Sequence, residues 1–164
     1  SPMYYAARIA KEKYPDAKIV FVGPCVAKRK EAQRDEAVDF VMTFEEISSI
    51  FDAFEINLEI VQPYAMEFSS VREAHGFAQA GGVMGAVKAF LKMEADKINA
   101  IQVSDLNKKN IGTLRAYAKS GKAPGQFIEV MACEGGCITG PSTHSGSNGK
   151  RQLVQELAKQ EKTY

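Results

Sequence analysis

Three cysteines are the residues of this sequence best suited to chemistry. Cys133 and Cys137 flank two glycines in the segment "ACEGGC", and Cys25 follows the apolar run "KIVFVGP". Three soft thiolates suit zinc, copper(I) or an iron–sulfur cluster. Glycines between such ligands let the backbone bend around a bulky group and direct N–H groups at its sulfur atoms. The alternative interpretation is a buried core thiol at Cys25 and a loose turn around the other two.

Other metal and nucleophilic sites are less well supported. A closed zinc site would need a fourth ligand from His75, His144 or a carboxylate, because the chain has a single CxxxC pair. Thioredoxin-type redox pairs have the spacing CxxC. Lys28 lies one helical turn after Cys25, where its ammonium would face negative charge on that thiolate. No GxGxxG, GxxxxGK or GxSxG occurs in the sequence, so nucleotide binding and serine hydrolysis lack support.

Composition narrows the class of protein. The chain has 164 residues, of which 45% are hydrophobic and 25% charged, with a net charge of +1. These values predict one globular domain over residues 1–164, with no field that would attract nucleic acid or a membrane surface. No apolar run approaches the roughly twenty residues of a membrane span. An odd number of cysteines favours a reducing compartment, so we expect a cytoplasmic protein.

Alternating apolar patterns predict the elements that position the cysteines. We predict strands at 18–23, 37–43, 98–106 and 126–132, and helices at 3–14, 44–54, 83–94, 110–121 and 149–162. Thr43 and Glu46 form a capping box at the start of the second helix, and residues 56–76 are expected to be a long loop. This order predicts an α/β fold with a mostly parallel four-stranded sheet, its strands covered on both faces by helices.

The predicted sheet would bring the cysteines together. Ligands of parallel sheets collect beyond the carboxyl ends of the strands. Cys25 follows the first strand and Cys133 follows the last, so we expect both at one edge of one sheet. Gly81 and Gly82 precede a helix, and we expect them in a loop at the same edge.

Two of these segments, "GPCVAKRKE" and "EVMACEGGC", resemble signature motifs of the [FeFe]-hydrogenase (iron-only hydrogenase) large subunit. In outline the family patterns are M-P-C-x-x-K-x-x-E and E-x-M-A-C-x-G-G-C. The segments "SPMYYAARIAKEKY", "VDFVMTFEEISSIF" and "AQAGGVMGAV" are also similar to the family, so the resemblance covers essentially the whole chain. It implies the C-terminal part of the catalytic H-cluster domain, forming one lobe of that domain.

The resemblance implies a set of metal ligands. Cys25, Cys133 and Cys137 would each bind an iron of a [4Fe-4S] cluster. Cys137 would also bridge that cluster to a di-iron subcluster bearing carbonyl and cyanide ligands, completing the H-cluster.

The resemblance also implies residues that contact the cofactor. Lys28 would donate a hydrogen bond to a cyanide, Glu31 would orient Lys28, and Met131 would pack against the di-iron site. Gly81 and Gly82, which lie in the family's Gly-Gly-Val-Met segment, belong with these cofactor-binding residues.

The implied activity is reversible reduction of protons to H2 in an anaerobe, with ferredoxin or internal iron–sulfur clusters as the electron partner. The family's first motif, T-S-C-C-P, does not occur in this sequence. We therefore expect a C-terminal fragment that is inactive alone and requires the N-terminal remainder of the domain and maturation enzymes. Apolar surface that the remainder would cover predicts a dimer of the fragment.

Three alternatives remain open at this point. Gly23, Glu134 and the pair Pro141–Ser142 depart from the usual family pattern, which is consistent with a hydrogen-sensing domain of a signalling protein. A related iron–sulfur assembly factor would keep the [4Fe-4S] cysteines without the di-iron site, although Lys28 together with Glu31 argues against it. A plain zinc-binding fold is the third.

Overall fold

The chain forms two compact units. The computed structural model describes residues 1–62, 64, 71–146 and 148–159, without the side chains of Met93 and Ala95. The first unit comprises Ser1–Tyr64 with Pro141–His144, and the second comprises Ala65–Gly140 with Ser145–Tyr164. Among the described residues, no helix is long and apolar enough to cross a membrane. The assignment of 1–164 to a single domain stays a prediction.

The first unit contains a small parallel sheet and the helices around it. Its elements are α1 (Pro2–Lys13), β1 (Val20–Gly23), α2 (Ala27–Ala32), β2 (Phe40–Thr43) and α3 (Phe44–Ala53). The strands β1 and β2 are parallel, with Val20 opposite Phe40. The proline ring fixes φ near the helical value, so Pro2 suits the first position of α1. Met3 and Ala7 of α1 are buried with Val38 and form the core of this unit.

The predicted capping box at the start of α3 is confirmed. The Glu46 backbone N–H donates to Thr43 Oγ1 over 3.2 Å, and Glu46 Oε2 accepts from the Thr43 backbone N–H over 2.7 Å. Two backbone donors that α3 would otherwise leave unsatisfied are therefore bonded. Arg29 of α2 also contacts Glu46, with 2.5 Å between Nη2 and Oε1. This pair holds α2 against the start of α3.

A short segment distant in sequence belongs to the first unit. Pro141–His144 is grouped with residues 1–64 although the chain between them forms the other unit. His144 Nε2 lies 2.9 Å from Ser48 Oγ on α3, and Ser142 is buried. The segment is thus anchored to α3.

In its described residues, the second unit combines a second parallel pair of strands with four helices. Its elements are α4 (Arg72–His75), α5 (Gly82–Leu91), β3 (Ala100–Ser104), α6 (Lys108–Ser120), β4 (Phe127–Met131) and α7 (Asn148–Ala158), with 3-10 turns at Gly76–Ala78, Lys92–Lys97 and Cys137–Thr139. The strands β3 and β4 are parallel, and Ser104 lies opposite Met131. Asn107 caps α6, accepting from the Asn110 backbone N–H over 2.9 Å.

The α/β class is confirmed, but the four-stranded sheet is wrong. The described residues contain two separate two-stranded parallel sheets, β1–β2 and β3–β4. Apolar periodicity identifies a run as a strand, but it does not determine which strand is its neighbour. The first sheet is also not covered on both faces, because Val20, Val22 and Phe40 are 46%, 39% and 58% exposed.

Two further predictions, the shared sheet edge and the long loop at 56–76, differ from the structure. Cys25 and Cys133 follow strands of different sheets, so the prediction of a shared sheet edge is wrong. Within the predicted loop at 56–76, residues 72–75 form α4 and Gly76 begins a 3-10 turn. Residues 63 and 65–70 of that loop lie outside the described residues, as do residues 160–162 of the predicted last helix.

Candidate metal centre

Cys133 and Cys137 lie on a tight turn that follows β4. We call residues 132–140 the cysteine loop. The Gly136 backbone N–H donates to the Cys133 carbonyl over 3.1 Å, and the Gly140 N–H donates to the Cys137 carbonyl over 2.9 Å. Both thiols are half-buried. The loop therefore presents two partly accessible thiols from a hydrogen-bonded backbone.

The two glycines of the cysteine loop are required by its backbone. Gly135 and Gly136 have φ of +80° and +103°, a region that residues with a side chain rarely adopt. A Cβ on Gly136 would lie 2.4 Å from the Ala80 backbone nitrogen and 2.7 Å from the Ala78 carbonyl oxygen. Only glycine allows this approach between two backbone segments. This close approach explains why two glycines lie between Cys133 and Cys137.

Neighbouring segments hold the cysteine loop from two sides. Ser104, at the end of β3, accepts from the Gly135 backbone N–H over 3.0 Å and donates to the Cys133 carbonyl over 3.4 Å. On the other side, the Ala80 backbone N–H donates to the Gly135 carbonyl over 3.0 Å. The loop is thus bonded to the end of one strand and to the turn before α5.

The predicted cofactor-binding residues of this unit lie near that turn or next to the loop. Gly81 has φ of +88° and is the N-cap of α5. A Cβ on Gly82 would lie 1.9 Å from the Gly76 carbonyl oxygen, so this position also requires glycine. Met131 is half-buried at the end of β4, two residues before Cys133. Gly81, Gly82 and Met131 therefore belong to the same unit as two of the three cysteines.

Glu129, the first residue of the motif "EVMACEGGC", is a buried residue of this region to which the sequence analysis gave no role. Its carboxylate accepts from the backbone N–H groups of Gly81, over 2.5 Å, and Met84, over 2.6 Å. The residue is only 5% exposed. The sequence did contain a signal, because a lone carboxylate in the middle of the apolar strand "FIEVM" is unusual and calls for a buried partner.

The remaining predicted site residues lie in the first unit. Cys25 follows β1 after Pro24, and its carbonyl accepts from the Lys28 backbone N–H over 3.2 Å at the start of α2. Lys28 Nζ is 2.6 Å from Glu31 Oε2. The Ser1 hydroxyl donates to the other carboxylate oxygen of Glu31 over 2.5 Å. Lys28 and Glu31, which the sequence analysis paired, are therefore in contact.

Glu31 is ionised well below neutral pH. Burial by itself would raise its pKa, but the hydrogen bonds from Lys28 and Ser1 outweigh burial and lower the pKa to about 2. The carboxylate accordingly stays negative at physiological pH and holds the Lys28 ammonium in a fixed position. This arrangement suits a lysine that must present its charge in one direction.

The donor chemistry of the cysteine loop fits an iron–sulfur group. Cys25, Cys133 and Cys137 all lie in described residues and form no disulfide. Soft thiolates on a loop whose backbone is held by hydrogen bonds are the ligands that such clusters use. Within the described residues of either unit, no group of three or more His, Cys, Asp or Glu side chains is placed to hold a metal ion. His75 lies in the second unit and His144 in the first.

The structure is an α/β fold in which Cys25 lies two residues after β1 and Cys133 two residues after β4. The sequence profile described as the iron only hydrogenase large subunit, C-terminal domain, matches residues 1–141. This chain belongs to that family. The resemblance noted from the two cysteine motifs is thereby confirmed.

Curated relatives fall into more than one functional class. The chain is 27% identical to the Nuclear prelamin A recognition factor of Danio rerio, over 84% of this chain and 39% of the relative. It is 27% identical to the Cytosolic Fe-S cluster assembly factor narfl of Danio rerio, over 87% and 46% respectively. It is 28% identical to Iron hydrogenase 1 of Clostridium pasteurianum, over 85% and 32%. The chain spans less than half the length of each of these relatives.

Solved hydrogenase structures share the fold. A structure of HydA(deltaEFG), described as revealing stepwise [FeFe]-hydrogenase H-cluster assembly, matches with a TM-score of 0.58 and 21% identity over 95% of this chain and 58% of that one. A structure concerning oxygen inactivation of [FeFe]-hydrogenase matches with a TM-score of 0.61 and 21% identity over 95% and 57%. These likenesses establish the fold, and the activity is a separate question.

Proposed function

We propose that this chain is part of an iron-only hydrogenase that catalyses reversible reduction of protons to H2. Cys25, Cys133 and Cys137 would bind a [4Fe-4S] cluster, and Cys137 would bridge it to a di-iron subcluster. The observation that carries the proposal is the cysteine loop, whose two thiols project from a glycine turn held by Ser104 and Ala80. A turn fixed on both sides can present thiolates in one geometry to a bulky group.

Residues of the first unit would control charge at the site. When bound, the H-cluster supplies the iron position at which protons and electrons combine to form H2. Lys28 would donate a hydrogen bond to an anionic cyanide ligand, and Glu31, with its pKa of about 2, keeps that ammonium in place. Met131 would exclude water from the di-iron side. The family resemblance implies these roles, and the Lys28–Glu31 ion pair supports those of Lys28 and Glu31.

The proposal requires contributions from outside these residues. A [4Fe-4S] cluster takes four ligands and the chain has three cysteines, so the fourth would come from the N-terminal remainder of the hydrogenase domain. We therefore propose that the 164 residues alone are inactive. Maturation enzymes would supply the di-iron subcluster, and ferredoxin or internal iron–sulfur clusters would exchange electrons. A cytoplasmic location is proposed because several relatives are named as cytosolic.

A second candidate function is iron–sulfur cluster assembly without hydrogen chemistry. It is favoured by the relatives named as cytosolic Fe-S cluster assembly factors. In that case the three cysteines would still bind a [4Fe-4S] cluster, but there would be no cyanide for Lys28 to contact. The two candidates therefore differ in the di-iron subcluster.

Infrared spectroscopy separates the two candidates. The full-length natural protein would be produced anaerobically together with hydrogenase maturation enzymes and examined in the carbonyl and cyanide stretching region. The hydrogenase proposal expects both sets of bands. A reduced sample that shows a [4Fe-4S] signal by electron paramagnetic resonance but no such bands would refute the hydrogenase proposal and favour the assembly function. Absence of both signals would refute the two candidates together.

A lysine variant tests the proposed hydrogen bond to cyanide. Lys28→Met removes the ammonium at similar length, and we expect it to shift the cyanide bands and to lower hydrogen turnover at least tenfold, because one charge-assisted hydrogen bond is lost. Lys30→Met is the matched control, because Lys30 is exposed on the same short helix. If the two variants gave the same cyanide bands, the role proposed for Lys28 would be wrong.

A further inference from the structure

A chain of contacts links the buried Glu129 to the cysteine loop. Glu129 bonds the backbone of Gly81 and Met84, and Ala80, next to Gly81, donates its N–H to the Gly135 carbonyl. Gly135 lies six positions after Glu129 in the sequence. The covalent chain from Glu129 to Gly135 and these hydrogen bonds therefore form a closed ring.

The carboxylate is well suited to hold the turn before α5. The first backbone N–H groups of a helix have no partner within the helix and carry partial positive charge. Glu129 reaches this end of α5 from the neighbouring strand and accepts from two of its donors, at 2.5 Å and 2.6 Å. Hydrogen bonds to an ionised acceptor are roughly twice as strong as neutral ones. Because Glu129 is buried, solvent screens these bonds little.

The turn at residues 79–82 packs directly against the backbone of the cysteine loop. The position of a Cβ on Gly136 would be within 2.7 Å of the Gln79 carbonyl carbon and 2.4 Å of the Ala80 nitrogen. The backbones of turn and loop are therefore in direct contact, and a shift of the turn must move Gly136. Gly136 is covalently joined to Cys137, so the thiol would move with it.

We propose that Glu129 is a positioning residue for Cys133 and Cys137: it fixes the turn at residues 79–82 and thereby sets where the cysteine loop presents its two thiols. This role concerns the backbone of the loop in the absence of any metal. Only its consequence for cluster binding rests on the proposed function.

Amide hydrogen exchange in the metal-free chain tests the proposal directly. Glu129→Gln keeps the size of the side chain but offers one acceptor oxygen and places an NH2 group against a backbone donor. We expect exchange at Gly81 and Met84 to accelerate at least about tenfold, since a buried charged hydrogen bond is lost. If Glu129 positions the loop, the Ala80 and Gly136 amides will accelerate as well, although neither donates to Glu129.

A merely structural role gives a different pattern. If Glu129 only capped α5, Gly81 and Met84 would accelerate while Ala80 and Gly136 kept the exchange rates of the unsubstituted chain, and this result would overturn the proposal. Glu46→Gln is the matched control, because Glu46 also accepts from a backbone N–H at a helix start, but in the first unit. We expect it to leave the four amides unchanged. If Glu129→Gln fails to fold, Glu129→Asp, which keeps the charge but shortens the reach, is judged by the same comparison.

Anaerobic reconstitution of the full-length natural protein, which would supply the fourth ligand, with iron and sulfide provides a second readout. We expect Glu129→Gln to retain less than half the iron per chain of the unsubstituted protein, while Glu46→Gln retains all of it. Equal iron in both variants, with unchanged exchange at Ala80 and Gly136, would refute the positioning role. If the unsubstituted full-length protein binds no cluster at all, the proposed function fails, and the exchange comparison still decides the role of Glu129.

Discussion

Replacement of Gly136 by alanine should be the most damaging single-methyl change in the cysteine loop. Gly136 has φ of +103° and ψ of −173°, a conformation essentially restricted to glycine, and imposing it on alanine costs about 1–3 kcal/mol. The added Cβ would also lie 2.4 Å from the Ala80 backbone nitrogen, so two backbone segments must separate. Forced backbone shifts of this kind cost about 1–3 kcal/mol. We expect Gly136→Ala to lower the free energy of unfolding of the second unit by about 2–6 kcal/mol.

Gly112, inside α6, and Gly121, at its C-terminal end, provide control substitutions in the same unit. Gly121 has φ of +65°, and no described heavy atom lies within 4 Å of its Cβ position, so Gly121→Ala should cost only about 1–2 kcal/mol. Gly112 lies inside α6, also with no described heavy atom within 4 Å, and Gly112→Ala should stabilise by about 0.5–1 kcal/mol. Guanidinium unfolding followed by circular dichroism measures all three. If Gly136→Ala destabilised no more than Gly121→Ala, the close approach of loop and turn would be refuted.

Two predictions concern the first unit. Thr43→Ala removes the capping-box acceptor and should lower the free energy of unfolding by about 1 kcal/mol. Thr113→Ala removes a hydroxyl that bonds the Lys109 carbonyl within α6 and should change it little in the same thermal or guanidinium assay. The pKa of Asp39 is lowered to about 2, mainly by the backbone N–H of Ile19 and then by ion pairs with lysines. Because this folded pKa lies below the unfolded value, the stabilisation is fully present above about pH 4 and is lost as pH falls toward 2. Asp39→Asn should therefore flatten the stability profile over that range while Asp16→Asn, at an exposed position, should not; identical profiles for the two would contradict this cause.

Local features of the fold could be predicted from the sequence. The capping box depends on two residues three positions apart, and the four strands depend on short apolar runs, so both were recognised. The pairing of the strands could not be predicted, because it depends on contacts between distant segments and on which faces of the strands other elements cover. Each predicted strand extended one to three residues beyond an observed end, as expected where apolar residues continue into the adjoining loops.

In the candidate site, too, some residues could be predicted from the sequence and others could not. Cys25, Cys133, Cys137 and the Lys28–Glu31 pair were recognised because residue type and short spacing carry the motif. The supporting contacts span much longer separations, since the Glu129 bond to Gly81 joins residues 48 apart. Ser104, whose bond to Gly135 joins residues 31 apart, lies in no motif, and Glu129 lies in one whose pattern does not show what its carboxylate contacts. Sequence motifs thus identify candidate ligands, and the residues that hold them are visible only when distant segments are brought together.

The grouping of Pro141–His144 with the first unit has a consequence for dissecting the protein. Expression of residues 1–64 alone would omit this segment, which contains the buried Ser142 and the His144 side chain that lies against Ser48. The second unit would in turn need residues 65–140 and 145–164 without the four residues between them. A single cut after residue 64 therefore leaves the first unit incomplete, and the second unit then carries four residues that belong to the first. A polypeptide that contains the whole first unit must therefore join residues 141–144 to residues 1–64 through an engineered linker.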